Sequence, residues 1–200
     1  MSVAKILEDA RALHGDIVQL RHDLHRHPEV GLELPRTQEK VLEALADLPL
    51  EITLGKGLTS VGAVLRGTAG DTSDSAARPA VLLRADMDAL PLQEETGINF
   101  TSEVANRMHA CGHDLHTSML VGAARLLAER RHQLAGDVVF MFQPAEELLA
   151  GAPMMIEEGI LELSGRRADA AYGLHVFSAG GNTGRFETKP GVMMSAADAL

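Results

Sequence analysis

Residues 80–91 read AVLLRADMDALP, and this stretch is the one that most clearly indicates the fold class of the chain. Its first four residues are all apolar, which is typical of a central strand covered on both faces of a sheet. The strand continues through Arg84 into Asp86 and Asp88. The sequence therefore predicts a buried strand with two carboxylates at its carboxyl end.

Two further apolar stretches end in the same way. Residues 138–142 read VVFMF and run into QPAEE, so Glu146 and Glu147 follow a strand. Residues 168–174 read ADAAYGL and lead to His175. Strands that alternate with helices indicate an open, largely parallel α/β sheet flanked by helices. The other predicted elements are helices over 3–26, 36–48, 115–131 and 151–158, strands near 50–54 and 60–66, and a polar hairpin loop over 67–79.

The composition limits the class of protein. Of the 200 residues 46% are apolar, which is ordinary for a globular core, while the net charge of −10 argues against nucleic acid or an anionic membrane as partner. A single cysteine excludes an intrachain disulfide framework. The first residues lack the apolar run of a signal peptide, and no stretch approaches the roughly 20 apolar residues of a membrane span. We therefore expect a cytoplasmic protein.

The densest group of metal-binding side chains is MHACGHDLH at residues 108–116, with the only cysteine and three of the nine histidines. In an extended loop the side chains of Cys111 and His113 would point the same way, and sulfur with imidazole suits zinc or manganese. The alternative is a surface loop that is rich in histidine by accident. His109 and His116 could each orient a ligand or cap the following helix.

Glu146 and Glu147 are the most informative acids. Ligands of open α/β sheets bind beyond the carboxyl ends of the strands, where we expect these acids to meet Asp86, His175 and the Cys/His loop. Adjacent carboxylates repel unless a cation compensates them. Because successive side chains diverge, one could bind a metal ion while the other holds a water for deprotonation. The alternative is a solvated helix N-terminus, where the helix dipole favours acids.

Three histidines, His22, His25 and His27, lie near the end of the first predicted helix. One interpretation is a cluster of metal ligands. The interpretation that we prefer is that they are helix-end histidines, favoured by the helix dipole or hydrogen-bonded to the backbone.

Five motifs occur in order along the chain: RHDLHRHPEVGLE, LRADMDALPLQEETG, MHACGHDLHTSMLVGAARLL, FQPAEE and YGLHV. They resemble the amidohydrolase branch of the aminoacylase and carboxypeptidase metallopeptidases. That branch includes hippurate hydrolases, N-acyl-amino-acid amidohydrolases and the hydrolases of auxin–amino-acid conjugates. The similarity runs from about residue 19 to residue 200, and HACGHD followed by PAEE at this separation is highly specific. It implies a phosphorylase/hydrolase-like metallopeptidase fold.

The resemblance also implies a site for two divalent ions, Mn²⁺ or Zn²⁺. The residues that match the family's metal ligands are Cys111, His113, Glu147 and His175. Glu146 matches the general base, and Asp86 matches an acid that orients the site. Much of the wider family has a ligating histidine where this chain has Arg84, so Cys111 is expected to take over part of that coordination.

By the same resemblance, the chain corresponds to the N-terminal half of such an enzyme. Residues 1–188 match the first part of the catalytic domain, and residues 189–200 match the first strand of an inserted α+β lid domain through which the family dimerises. A fifth metal ligand and a lid histidine belong to the family's C-terminal half. We therefore expect these 200 residues alone to be inactive, and a homodimer when the lid is present.

The function that the resemblance implies is hydrolysis of the amide bond of an N-acyl amino acid, or of a similar small amide, by a metal-activated water. A second hypothesis is a cysteine hydrolase with Cys111 as nucleophile, although it gives Glu146, Glu147 and His175 no role. A third is a non-catalytic metal-binding half-chain.

Overall fold

A computed structural model describes residues 3–70, 78–178 and 183–191. Within these ranges five strands form one open sheet in the order β1-β2-β4-β3-β5. Their bounds are Leu50–Leu54 (β1), Val61–Leu65 (β2), Ala80–Asp86 (β3), Asp137–Gln143 (β4) and Ala170–Gly173 (β5). The predicted α/β class and open sheet are confirmed, and β3 has a neighbour on each side, as the prediction of a central strand required.

Strand direction decides where the functional side chains can meet. β3 runs parallel to β4 and to β5, whereas β2 is antiparallel to both β1 and β4. Because β2 alone is reversed among the described strands, two of the four strand pairings are parallel and two are antiparallel, so the sheet is mixed. The register places Asp86 opposite Gln143 and Arg84 opposite Gly173. The carboxyl ends of β3, β4 and β5 therefore lie at the same edge of the sheet.

Four α-helices accompany the sheet within the described ranges, and three of them differ from their predicted bounds, the last by a single residue. They are Val3–Arg26 (α1), Pro35–Leu45 (α2), His113–Ala128 (α3) and Gly151–Glu157 (α4). The helix predicted over 36–48 ends earlier, and the one predicted over 115–131 begins and ends earlier, with a short 3-10 turn over Arg131–Gln133. α3 begins at His113 because Gly112 adopts a left-handed conformation with φ of 89°. A metal-binding candidate thus becomes the first residue of a helix.

The core lies on both faces of the sheet, because the side chains of β4 alternate between two apolar clusters. Val138, Phe140 and Phe142 face a cluster that α2 and α3 cover, and Val139 and Met141 face a cluster that includes Met155 of α4. All seven residues of β4 are buried. A strand buried this completely fixes the sheet in place, so the loop that follows it is carried on a rigid support.

Two predicted features lie largely outside the described residues. The first lid strand was predicted within 189–200, of which 192–200 are not described, and the hairpin loop over 67–79 includes residues 71–77, which are also outside the described ranges. In the part of the chain that is described, no helix is both long enough and apolar enough to cross a membrane.

Candidate metal centre

Three strand ends meet at one edge of the sheet, as the sequence predicted. Among the described residues, three groups of side chains each bring potential ligand atoms within 4.8 Å of one another. The groups are Cys111 with His113 and His175, His113 with Glu146 and Glu147, and Asp86 with His113 and His116. His113 belongs to all three groups, so it lies at the centre of the arrangement.

Cys111 and His113 do approach each other, but not through the extended loop that the sequence suggested. Gly112 lies between them with φ of 89°, and a side chain there would bring its Cβ within 2.4 Å of the Val176 side chain. The left-handed glycine turns the chain sharply, so a thiol and a helical imidazole face the same space. The expectation of proximity was right, and the extended geometry behind it was wrong.

His175 reaches the same space from the end of β5. Its Nδ1 lies 2.6 Å from the carbonyl oxygen of Val176, to which it donates a hydrogen bond. Its Nε2 then carries the lone pair and lies 3.4 Å from Sγ of Cys111. A histidine whose Nδ1 proton is held by a backbone carbonyl presents Nε2 as a metal ligand.

His113 is fully buried, yet neither ring nitrogen makes a hydrogen bond to another described residue. Its Nδ1 lies 3.4 Å from Oδ1 of Asp88, while its Nε2 lies 3.8 Å from Oε1 of Glu147 and 3.9 Å from Oε2 of Glu146. Oε1 of Glu147 is also buried without a partner. Buried polar atoms normally have partners, and a cation between these atoms would satisfy both groups. The donor set therefore fits a divalent ion.

Charge around His113 favours its protonated form when no cation is bound. Burial alone would lower the pKa of His113, but the contact with Asp88 and the charges of Asp86 and Glu147 outweigh burial and raise it. The same carboxylates would stabilise a metal ion in place of the imidazolium proton. A cation at this position therefore competes with the proton for His113.

Asp86 lies at the end of β3 and is fully buried. One oxygen lies 2.6 Å from Nη1 of Arg84, and the other lies 2.5 Å from Nδ1 of His116. Burial alone would raise the pKa of Asp86, but the hydrogen bond from His116 and the charges of His113 and Arg84 outweigh it and lower the pKa to about 2. Asp86 is thus a permanently charged group behind His113.

Asp88 has a structural role that was not predicted from the sequence. Its two carboxylate oxygens accept hydrogen bonds from the backbone N–H groups of Glu146 and Glu147, at 3.0 and 3.2 Å. The side chain is fully buried and also contacts His113. Asp88 therefore fixes the backbone of both glutamates relative to His113. The sequence feature that could have indicated this role is the position of Asp88 two residues after Asp86, which places Asp88 beyond the end of the strand.

Glu146 and Glu147 do not begin a helix, which contradicts the alternative of a solvated helix N-terminus. α4 starts only at Gly151, and the pair lies in a tight turn after β4 in which Ala145 has a positive φ of 52°. The side chains are partly buried, with 34% and 25% exposure. Burial and the charges of Asp86 and Glu147 raise the pKa of Glu146. A raised carboxyl pKa suits a residue that accepts and returns a proton near neutral pH.

The surroundings of Cys111 disfavour a free thiolate. Burial and the negative charges of Glu147, Asp86 and Glu146 raise the pKa of the Cys111 thiol to about 12. Catalytic cysteine nucleophiles have pKa values well below the ordinary one, because a nearby positive charge stabilises the thiolate. The thiolate of Cys111 forms at neutral pH only when a cation compensates the carboxylates around it.

The two ambiguous histidines of the Cys/His loop have different environments. His116 bonds to Asp86 and, through Nε2, accepts a hydrogen bond of 2.9 Å from the backbone N–H of Val176, so it orients the site. His109 is buried, has no hydrogen-bond partner among the described residues and does not cap α3, whose N-cap is Gly112. Burial lowers the pKa of His109 to about 4.

The three histidines at the end of α1 form no ligand group among the described residues. His27 lies 2.9 Å from the carbonyl oxygen of Asp23, which matches the preferred interpretation. His22 stacks on the ring of Phe100 instead. His25 is buried and bonds to two carboxylates that are distant in sequence, so neither interpretation described it correctly.

The geometry agrees with comparisons to known proteins. The sequence profile of peptidase family M20/M25/M40 matches residues 82–194, which include every candidate ligand described above. The chain belongs to this family. The M20 family is thus the group that the sequence motifs indicated, and the resemblance is confirmed.

Individual relatives match nearly the whole length of this chain. It is 39% identical to thermostable carboxypeptidase 1 of Saccharolobus solfataricus over 99% of this chain and 48% of that protein. It is also 39% identical to hippurate hydrolase of Campylobacter jejuni over 93% of this chain and 45% of that protein. The chain therefore spans about half the length of the curated M20 relatives it matches.

A solved M20 structure supports the same placement. The Bacillus subtilis YXEP protein, described as a dinuclear metal binding peptidase, superposes with a TM-score of 0.73 and 40% sequence identity. The match covers 82% of this chain and 43% of that one. The sheet and the helices around the candidate site thus adopt an arrangement found in a member of the family.

Proposed function

We propose that this chain provides the metal-binding part of a hydrolase that cleaves the amide bond of an N-acyl amino acid or a similar small amide. The observation that carries the proposal is the position of His113. It is buried, and its nitrogens are without hydrogen bonds to described residues. The carboxylates of Glu146 and Glu147 and the imidazole of His175 approach it from two strand ends, and the thiol of Cys111 approaches it from the loop before α3.

The residues that would hold two divalent ions are Cys111, His113, Glu147 and His175. Thiolate, imidazole and carboxylate ligands together suit Zn²⁺ or Mn²⁺. The ligand atoms of Cys111, His113 and His175 lie within 4.8 Å of one another, and Glu147 is close enough to Cys111 to raise the pKa of its thiol, so Cys111 would hold an ion together with these residues. Arg84 cannot be a ligand, because its guanidinium bonds to Asp86 and Gln143.

Bound divalent ions supply Lewis acidity, which lowers the pKa of a coordinated water and polarises the scissile carbonyl. Glu146 is the residue that would take the proton of the attacking water and deliver it to the leaving amine nitrogen. Its raised pKa fits both transfers, since the same carboxyl must be a base first and an acid afterwards. Asp86, ionised at any physiological pH, holds His116 and stabilises positive charge around His113.

The substrate class rests on the relatives. Proteins named hippurate hydrolase and N-acetylcysteine deacetylase are 39% identical to this chain, and both names describe removal of an acyl group from an amino acid. We extend that substrate class to this chain. As the resemblance implies, we also propose that residues 189–200 are the first strand of a lid domain and that the protein forms a homodimer when the lid is present. The thermostable carboxypeptidase relatives make a short peptide the second class to assay.

The cysteine-nucleophile hypothesis has less support. A thiol with a pKa of about 12 is almost wholly protonated at neutral pH, and the three carboxylates around it oppose its ionisation. His175, whose Nε2 lies 3.4 Å from this sulfur, also has a position that suits a ligand. The hypothesis of a non-catalytic half-chain does not explain why Asp88 fixes both glutamates, of which only one is needed to bind metal.

Replacing each glutamate separately tests the proposal. In the full-length protein, Glu146→Gln should reduce turnover of an N-benzoyl or N-acetyl amino acid by at least roughly 10²–10⁴-fold and leave the metal stoichiometry unchanged. Glu147→Gln should lose metal as well as activity. Activity that survives in Glu146→Gln, or equal metal loss in both variants, would refute the assigned roles.

A further inference from the structure

Asp114 follows the candidate ligand His113 directly and is buried in the first turn of α3. Its Oδ2 lies 2.7 Å from Nε of Arg21 and 2.8 Å from Nδ1 of His25, both on α1. These contacts join residues about 90 positions apart in the sequence. A buried carboxylate between two side chains of another helix fixes the position of the turn to which it belongs.

His25 is itself held from the other side. Its Nε2 lies 3.1 Å from Oε1 of Glu94, a buried carboxylate that also accepts hydrogen bonds from the Thr96 hydroxyl and, at 2.6 Å, from the backbone N–H of Ser102. Both ring nitrogens of His25 thus face carboxylates. An imidazole can donate from both nitrogens only as the imidazolium cation.

The charges of this cluster balance. Arg21 and the imidazolium of His25 provide two positive charges, and Asp114 and Glu94 provide two negative charges. Phe100 packs over the cluster, because its ring centroid lies 3.8 Å from that of His22 and 4.5 Å from Cζ of Arg21. The cluster joins the end of α1, the segment around Glu94 and the start of α3. None of its members is among the four residues proposed to hold the ions, which are Cys111, His113, Glu147 and His175.

We propose that Arg21 and His25 are positioning residues for the metal centre, acting through Asp114 on the turn that carries Cys111 and His113. The inference rests on the proposed metal-binding function. His113 has no hydrogen bonds of its own to hold its ring, so its position depends on the helix turn that Asp114 anchors. Without the two cations, Asp114 would be a buried unpaired charge, and the first turn of α3 would shift toward solvent to hydrate it. Such a shift moves His113 away from Glu147 and His175.

The test is the affinity of the full-length protein for Zn²⁺ or Mn²⁺, measured by competition with a chromogenic chelator, in His25→Gln and Arg21→Met. Supporting residues of metal sites change affinity by roughly 10–100-fold when they are replaced, and we expect a loss in that range. Arg21→Lys keeps the positive charge and should retain most of the affinity. His27→Gln is the control, one residue after the same helix, since His27 bonds only to backbone and to surface acids.

The variant Val41→Ala is the control that separates a loss of metal affinity caused by lower overall stability from one caused by a displaced metal-binding turn. Val41 is a buried core residue of α2 that takes part in none of the hydrogen bonds, ion pairs or ring contacts that define the cluster, and its truncation should lower the melting temperature. An affinity loss in His25→Gln well beyond that of Val41→Ala supports the inference, and an equal affinity in the two overturns it. If His25→Gln does not fold, the comparison is made with Arg21→Met. If the unmutated protein binds neither ion, the proposed function itself has failed, which is a different result from binding that is insensitive to these variants.

Discussion

His116 and Asp86 are joined by a contact of 2.5 Å between Nδ1 and Oδ1, and this pair links two strand ends. On its other side, Nε2 of His116 accepts a hydrogen bond from the backbone N–H of Val176, the residue after His175. Both nitrogens are therefore occupied in one tautomer, with the proton on Nδ1. His116 lies close enough to His113 to share a metal ion with it. Because both of its nitrogens already make hydrogen bonds, we infer that His116 instead holds the end of β3 against the segment that carries His175.

The first prediction concerns that link. His116→Gln should leave Asp86 and the Val176 N–H poorly paired, and a buried polar group without its partner costs about 1–3 kcal/mol of unfolding free energy. Because His175 precedes Val176, the affinity for Zn²⁺ should fall as well. Urea unfolding and metal competition measure the two effects. His132→Gln, at an exposed histidine, is the control, and unchanged metal affinity in His116→Gln would contradict the role given to the link.

The second prediction uses the acid dependence of stability. The pKa of Asp86 is lowered from its ordinary value of 3.8 to about 2 in the folded protein, so the ionised carboxylate favours folding. Its contribution is complete above about pH 4 and is lost as the pH falls through about 2, in total about 2 kcal/mol. The difference in unfolding free energy between the parent protein and Asp86→Asn should therefore shrink in acid. The exposed control Asp47→Asn should show little change, and a constant difference for Asp86→Asn would argue against a charged, stabilising Asp86.

Continuous apolar runs made the sheet predictable from sequence. β3 and β4 read as strands because each is short, apolar and followed by acids, and open α/β topology then requires their carboxyl ends to meet. The same reasoning placed Glu146, Glu147, Asp86 and His175 at one edge. This reasoning did not predict that β2 is antiparallel to its neighbours, because a strand has the same apolar pattern whether it runs parallel or antiparallel to the strand beside it.

The supporting contacts could not be predicted, because they join residues that no local pattern relates. Asp88 bonds to backbone N–H groups 58 and 59 positions away, and His25 bonds to side chains 69 and 89 positions away. Periodicity shows which face of a helix is apolar, but it cannot show which distant carboxylate a buried histidine meets. The start of α3 was also predicted wrongly, because nothing in the sequence around Gly112 indicates that this glycine is left-handed and precedes the helix.

The third prediction concerns the turn that holds the two glutamates. A Cβ on Gly151 would lie 1.7 Å from the carbonyl oxygen of Pro144, so Gly151→Ala must open the turn over 144–151. We expect a loss of about 1–3 kcal/mol in unfolding free energy and weaker metal binding, since Glu147 moves with the turn. Gly15→Ala is the matched control, because nothing lies within 4 Å of a Cβ at that position of α1. There the same substitution should stabilise the helix by roughly 0.5–1 kcal/mol. A Gly151→Ala protein as stable as its parent would show that the turn has room to adapt.

The fourth prediction separates a metal-binding Cys111 from a nucleophilic one. A cysteine that ligates a cation is shielded from iodoacetamide while the ion is bound, and it becomes available after chelation. Because burial and the surrounding carboxylates raise the pKa of the free thiol to about 12, alkylation of the chelated protein should be slow at pH 7 and should keep accelerating above pH 10. Glu147→Gln removes one of those charges and should speed alkylation of the chelated protein. A nucleophilic cysteine would instead be alkylated rapidly at pH 7 with metal present, and substrate would protect it. Hydrolysis that survives chelators but stops after iodoacetamide treatment would exclude the metal mechanism and restore the cysteine hypothesis.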